Sequence, residues 1–230
     1  MPDVIVNAKK LEKQYRVGEV TVEALKGLDF IIEAGSFTAL VGPSGSGKST
    51  LLNIIGCLDK PSAGTIKVLN IDVAALNRRR AAAFRGAKIG FIFQDFNLVS
   101  VLSAAENIEY PLMMVDNQPT GPRRRRVAEL LDAVGLSGQA DNRPDQLSGG
   151  QKQRVAVARA LAANPRLVLA DEPTANLDSE TAGRIISLMR EIRDRSGTTF
   201  IFSTHDKRIM DKAGQVFFIE DGLLINEGSL

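Results

Sequence analysis

Residues Gly42 to Ser49 read Gly-Pro-Ser-Gly-Ser-Gly-Lys-Ser, between the apolar run Thr38-Ala-Leu-Val41 and a second apolar run, Leu51-Leu-Asn-Ile-Ile55. A strand that turns through three closely spaced glycines into a helix is compatible with few architectures. Small residues let successive backbone N–H groups converge on one anion, and the helix that follows adds the positive end of its dipole. The spacing is that of a phosphate-binding loop, G-x-x-x-x-G-K-[ST]. Gly42, Pro43, Ser44, Gly45, Ser46, Gly47, Lys48, Ser49 and Thr50 are therefore the candidate nucleotide-binding segment. Lys48 would reach the β- and γ-phosphates of ATP, the Ser49 hydroxyl would bind Mg²⁺, and Thr50 offers a second hydroxyl nearby.

The rest of the chain extends the strand–helix alternation. Residues 38–42, 88–93, 166–170 and 198–204 read as strands, and 48–57, 103–115 and 179–194 as helices. This pattern predicts an α/β fold with a mostly parallel sheet covered by helices on both faces. Two regions depart from it. The first thirty residues and the run Gly64–Asn70 read as strands without intervening helices, which predicts an antiparallel sheet beside the core. From about Asp95 to Ala163 the signals are helical, with Val127, Leu130, Leu131 and Val134 on one face. The expected division is one domain over residues 1–230, with a core at 1–94 and 164–230 and a helical insertion at 95–163. Asp221-Gly222, between two apolar runs, predicts a closing hairpin.

Composition narrows the function. The 230 residues include 29 Lys+Arg against 27 Asp+Glu, a net charge of +2, which argues against general nucleic-acid binding. A single histidine excludes a multi-histidine metal site, and the single cysteine, Cys57, lies in an apolar run that predicts a buried thiol. The N-terminal MPDVIVNAKK lacks the apolar stretch of a secretion signal, and no run nears the roughly 18 apolar residues of a membrane span. The expected compartment is reducing, and any membrane role must come through a partner.

A second chemical feature is the strand Arg166-Leu-Val-Leu-Ala-Asp171-Glu172-Pro173. Its two carboxylates fall at the carboxyl end of a buried strand, where open α/β sheets bind ligands. Taken alone such an end reads as a solvated loop. Beside a phosphate loop, Asp171 is placed for Mg²⁺ and Glu172 to accept a proton from an attacking water.

To this point a kinase, a motor or a GTPase fits equally. Leu147-Ser148-Gly149-Gly150-Gln151, which opens a helix about twenty residues before the acidic strand, separates them. Ser148 is also a good helix cap in its own right. Together with the phosphate loop and the Asp-Glu-Pro strand, this segment resembles the signature of ATP-binding-cassette (ABC) ATPases, over essentially the whole chain. The resemblance implies further roles. Tyr15 resembles the aromatic that stacks on adenine, although on sequence alone it is equally a buried strand aromatic. Gln94 resembles the glutamine that touches Mg²⁺ and the attacking water, Asp178 a residue at the subunit contact, and His205 the histidine that meets the γ-phosphate. Ala175 departs from the commoner glycine.

In that family the phosphate loop of one chain faces the signature of another. The resemblance thus implies an ATP-dependent, head-to-tail homodimer in which Ser148, Gly149, Gly150 and Gln151 complete the partner's site. Glu172, His205, Gln94 and Lys48 would form the catalytic group, with Ser49, Gln94 and Asp171 around Mg²⁺. Tyr15–Phe30, Gly56–Gly64 and Phe96–Leu112 are similar to the branch serving lipoprotein release, macrolide or peptide efflux, and cell division. That implies a peripheral location on the cytoplasmic face of the cell membrane. It also implies a permease docking near residues 95–115, with Phe96, Leu98, Val99, Val101 and Leu102 as candidate contacts or, alternatively, core. A non-transport ABC ATPase of DNA repair or translation is the other class, disfavoured by the single phosphate loop and the short stretch between Gln94 and Ser148. The arginine runs 78–80 and 123–126 read as solvated faces.

Overall fold

A computed structural model describes residues 3–115 and 119–228. Met1 and Pro2, which open the stretch inspected for a secretion signal, lie outside the described residues. The first half runs β1 (Val4–Val17), β2 (Val20–Glu33), β3 (Phe37–Val41), α1 (Lys48–Ile55), β4 (Ala63–Val68), β5 (Ile71–Asp72), α2 (Arg78–Lys88) and β6 (Ile89–Ile92). The second runs α3 (Ala104–Val115), α4 (Thr120–Ala133), α5 (Gly149–Leu161), β7 (Leu167–Asp171), α6 (Ser179–Ser196), β8 (Thr199–Ser203), α7 (Lys207–Met210), β9 (Gln215–Glu220) and β10 (Leu223–Gly228).

Two sheets form. One is antiparallel, in the order β2-β1-β4-β5, and the other is mostly parallel, in the order β10-β9-β3-β8-β7-β6. The strands of the parallel sheet are apolar on both faces, and their period of two feeds two separate cores. Phe37, Ala39, Val168, Ala170, Phe200 and Phe202 pack with residues of α3, α4, α5 and α6. Leu40, Leu167, Leu169 and Ile201 point the other way, into a core shared with α1 and the antiparallel sheet. Each of the Val, Leu, Ile and Phe side chains among them contributes about 1.5–3 kcal/mol on burial. The expectation of helices on both faces is thus refined, because the second face is covered jointly by α1 and a sheet.

The predicted helical stripe holds: Val127, Leu130, Leu131 and Val134 are all buried. Helix α2 was not legible. Its sequence, RRRAAAFRGAK, buries only Ala81, and it starts where Asn77 Oδ1 accepts from the Arg80 N–H at 2.9 Å. Arg78, Arg79 and Arg80 are exposed as expected. In the second run Arg124 and Arg125 are exposed as expected, whereas Arg123 and Arg126 depart from a solvated face. Arg123 Nε donates to Glu109 Oε1 at 2.6 Å, tying α4 to α3, and Arg126 donates to the Leu161 carbonyl at 3.1 Å, at the end of α5. Half-buried guanidiniums serve there as struts between helices.

Asp221 and Gly222 form the predicted turn between β9 and β10, with φ of 46° and 78°. Two successive left-handed residues match the twist of a hairpin. The turn folds back under the phosphate loop: Gly222 N donates to the Ser46 carbonyl at 3.0 Å, and Lys26 N donates to the Gly222 carbonyl at 2.8 Å.

Candidate active site

β3 delivers the chain into the glycine loop, and the loop is held by what surrounds it. Gly47, the residue before α1, has φ of 105°, and a methyl group there would stand 2.5 Å from the Ala24 carbonyl oxygen. At Gly42 the corresponding distance to the Ile219 carbonyl oxygen is 1.9 Å. Any side chain at either position would force β2 or β9 away. Helices α2, α5, α6 and α7 are capped by the side chains of Asn77, Ser148, Asp178 and Asp206, whereas α1 has no side-chain cap. Its first N–H groups therefore suit an external anion. Lys48 Nζ lies across the loop and donates to the carbonyls of Gly42 and Pro43, both at 2.8 Å.

Around the loop is a cleft of about 510 Å³. Its lining includes Gly42, Pro43, Ser44, Gly45, Gly47, Lys48, Ser49, Thr50, Gln94, Asp171, Glu172 and His205. Ser46 is buried beneath the loop and faces Lys48 Nζ at 3.4 Å. The predicted residues from four strand ends thus meet in one place. Ser49 Oγ donates to Asp171 Oδ1 at 3.2 Å, bridging α1 and β7. His205 Nδ1 donates to Glu172 Oε1 at 2.9 Å, a direct pairing that the sequence did not reveal. Glu172 itself has φ of 45°, a strained conformation for a residue with a side chain, and its N–H donates to the Ser203 carbonyl at 2.9 Å.

Several contributors were not foreseen. The Ser203 hydroxyl, lining the cleft opposite Asp171, is buried and without a hydrogen-bond partner among the described residues. Such an orphan in a polar cleft, beside an uncapped helix end and the Ser49–Asp171 pair, fits a site built for a charged, hydrated ligand. Asn176 Nδ2 donates to the Gln94 carbonyl at 3.1 Å, linking the segments after β7 and β6. Asp206 accepts from Thr174 Oγ1 at 2.9 Å and pairs with Arg208; despite its burial these bonds hold its carboxyl below the usual range. The Asn176–Gln94 and Thr174–Asp206 bonds span 82 and 32 residues, so no local signal marks them.

Two predicted groups stand apart from the cleft. Tyr15 stands at its rim, opposite Val22 in the β1–β2 register; Val22 lines the cleft and Tyr15 does not. None of the residues lining the cleft comes from the Ser148–Gln151 segment. There Ser148 Oγ accepts from the Gln151 N–H at 3.3 Å and Gln151 Oε1 accepts from the Ser148 N–H at 2.8 Å, a closed capping box. The Ser148 hydroxyl proton is not used by that bond. Gly149 and Gly150 abut the Asn176–Thr181 segment, where a methyl group on Gly150 would meet the Thr181 methyl at 2.5 Å. Asp178 caps α6, accepting from the Thr181 N–H at 2.9 Å, and that bond keeps its carboxyl acidic.

Of the apolar segment after Gln94, Val99 and Val101 are exposed, Leu98 packs on the core, and Phe96 and Leu102 are half-buried. Phe96 and Asn97 have φ of 62° and 47°, and Arg159 of α5 donates to both their carbonyls, to Phe96 at 2.8 Å. Burial lowers the Arg159 pKa from its ordinary value. No helix among the described residues is long and apolar enough to cross a membrane.

The ABC transporter family matches residues 25–175. The lipoprotein-releasing system ATP-binding protein LolD of Anaeromyxobacter dehalogenans is 45% identical over 223 residues, 97% of this chain and 93% of its own. The macrolide export ATP-binding/permease protein MacB of Syntrophobacter fumaroxidans is 43% identical over 96% of this chain, which spans 31% of that longer protein. The ATP-binding cassette MJ0796 of Methanocaldococcus jannaschii, solved as a dimer in a post-hydrolysis state with ADP and Pi, has a TM-score of 0.92 at 43% identity, over 98% of this chain and 99% of that one. With the phosphate loop, the acidic strand end and the capped signature helix in this arrangement, the chain belongs to the ABC transporter ATP-binding family.

Proposed function

We propose that this chain is the ATP-hydrolysing subunit of a membrane complex of the lipoprotein-release and macrolide-export type, and that two copies close head-to-tail over ATP. The observation that carries this is the separation just described. One cleft gathers the phosphate loop, Asp171, Glu172, His205 and Gln94, while the signature helix start points elsewhere with a spare hydroxyl proton. Each chain thus holds half a site, and a second copy supplies the other half.

In this reading the N–H groups of the loop and of α1 bind the phosphates, with Lys48 as the fixed positive charge. Ser49 and Asp171, with Gln94 close by, would hold Mg²⁺, which when bound neutralises charge on the β- and γ-phosphates. Glu172 accepts the proton of the attacking water, with Oε2 left for it because His205 binds Oε1. Ser148 and the α5 N-terminus, contributed by the partner copy, donate to the γ-phosphate. Tyr15 stacks on adenine from the rim. The core at 1–94 and 164–230 binds ATP, and the helical part at 95–163 carries the signature and the permease seat.

The permease seat centres on Val99 and Val101, and the subunit lies on the cytoplasmic face of the membrane through that contact. Leu98 belongs to the core, so Val99→Asp with Val101→Asp is the variant that removes permease binding without unfolding the helical part. Glu172→Gln tests the site itself. It lowers hydrolysis by roughly 10²- to 10⁴-fold while retaining ATP binding, and it accumulates a dimer with saturating ATP on size-exclusion chromatography. A monomer under those conditions would sink the half-site reading.

A further inference from the structure

We propose that Lys13 and Asp59 are positioning residues for nucleotide recognition: paired across the junction between β1 and the end of α1, they fix the Tyr15 ring at the rim of the cleft. The proposal rests on Tyr15 acting as the adenine platform and adds what holds that platform in place.

Tyr15 Oη donates to Asp59 Oδ2 at 2.8 Å, and Lys13 Nζ donates to Asp59 Oδ1 at 2.7 Å and to the Lys60 carbonyl at 2.8 Å. One carboxylate therefore holds the phenol and the ammonium at once. The same ammonium lies 4.7 Å from the centre of the Tyr15 ring, so one face is covered and a base has only the other to stack on. Burial alone would push the Asp59 carboxyl up, but the bonds from Lys13, Tyr15 and the Lys60 N–H hold it below its ordinary value. Asp59 is thus a charged acceptor in the physiological range. The Tyr15 phenol moves up, through burial and the Asp59 bond, with Thr50 of α1 acting in the opposite direction.

The surrounding backbone makes the junction rigid. Gln14 N donates to Ser62 Oγ at 3.0 Å, and Ser62 N donates to the Glu12 carbonyl at 2.8 Å. Residues 59–62 therefore brace β1 on both sides of Lys13. Asp59 lies four residues beyond the end of α1, the helix that begins in the phosphate loop. The pair ties the base-binding edge of the antiparallel sheet to the element that carries the phosphates, which sets the span a bound nucleotide must bridge. A ring free to rotate would lose about twofold to tenfold in affinity when the base immobilises it.

The test is calorimetric binding of ATP and of inorganic triphosphate, which uses the phosphate loop but has no base. Tyr15→Ala weakens ATP by about tenfold or more and leaves triphosphate unchanged. Asp59→Asn, Lys13→Met and Tyr15→Phe each weaken ATP by about twofold to tenfold, also without effect on triphosphate. Asp59→Asn adds nothing on top of Tyr15→Ala. If Tyr15→Ala weakens ATP while Asp59→Asn and Lys13→Met do not, the positioning role is wrong and the stacking role stands. If the Asp59 and Lys13 variants weaken both ligands equally, they support α1 rather than the ring, and the proposal is overturned. If Tyr15→Ala leaves ATP affinity intact, the stacking reading falls and takes the positioning role with it.

Discussion

The two helix starts proposed to meet ATP, at α1 and α5, are built in opposite ways. α1 begins at a glycine with φ of 105° and has no side-chain cap, while α5 begins at Ser148 with φ of −65° and a closed capping box. At Gly47, and not at Ser148, a carbonyl of another element, that of Ala24, occupies the place of a side chain. The α1 end is therefore shaped by tertiary contacts and leaves its N–H groups for an anion. The α5 end is held by its own capping box and leaves the Ser148 hydroxyl proton and the first helical N–H groups to offer. In the proposed function, ATP would supply the anion that the first end lacks and would meet the second already capped.

Gly47→Ala should break this contrast most severely. A left-handed alanine costs about 1–2 kcal/mol before any clash, and the displaced loop should lose ATP binding by calorimetry while circular dichroism stays near that of the parent. Normal affinity in this variant would mean that the loop geometry does not matter. Ser148→Asp sharpens the other side. Aspartate caps a helix as well as serine, so the melting temperature should hold, but its charge would face the γ-phosphate, and the ATP-dependent dimer should disappear. A persistent dimer would reduce Ser148 to a cap. Gln151→Ala opens the capping box and should cost about 0.5–1 kcal/mol, seen as a small fall in melting temperature.

The smallest effect is a reporter at the far end of α1. Cys57 is buried, and burial pushes its thiol up to about 11, with the Arg85 charge opposing. The folded state favours the neutral thiol, so its contribution to stability is constant below pH 9.0 and falls as pH rises towards 11. Alkylation at pH 8 should be slow in the parent and faster in Gly47→Ala if loosening the loop loosens the helix.

What could be read from sequence follows a physical division. The parallel strands were legible because they are continuous apolar runs, and the phosphate loop, the acidic strand end and the signature because their chemistry is local. The Asp-Gly turn was legible for the same reason. Helix α2 was missed because Arg78–Lys88 has no apolar stripe and is held by an asparagine cap. Arg123 and Arg126 were misread because Glu109 and Leu161 are distant in sequence. The Tyr15–Asp59 bond spans 44 residues, and the His205–Glu172 bond 33. The left-handed backbone at Phe96 and Glu172 carries no residue-type signal, unlike that at Asn97, since asparagine favours this region.

The bonds from Arg159 to the Phe96 and Asn97 carbonyls carry a further consequence. Two residues in left-handed conformations store about 1–2 kcal/mol each, and the guanidinium that holds them belongs to the signature helix. If the permease seats on this segment as proposed, the seat and the half-site offered to the partner's ATP would share one rigid connection and could be linked through it. Linkage is reciprocal: whatever factor a seated permease applies to nucleotide-driven closure, closure applies to the grip on the permease.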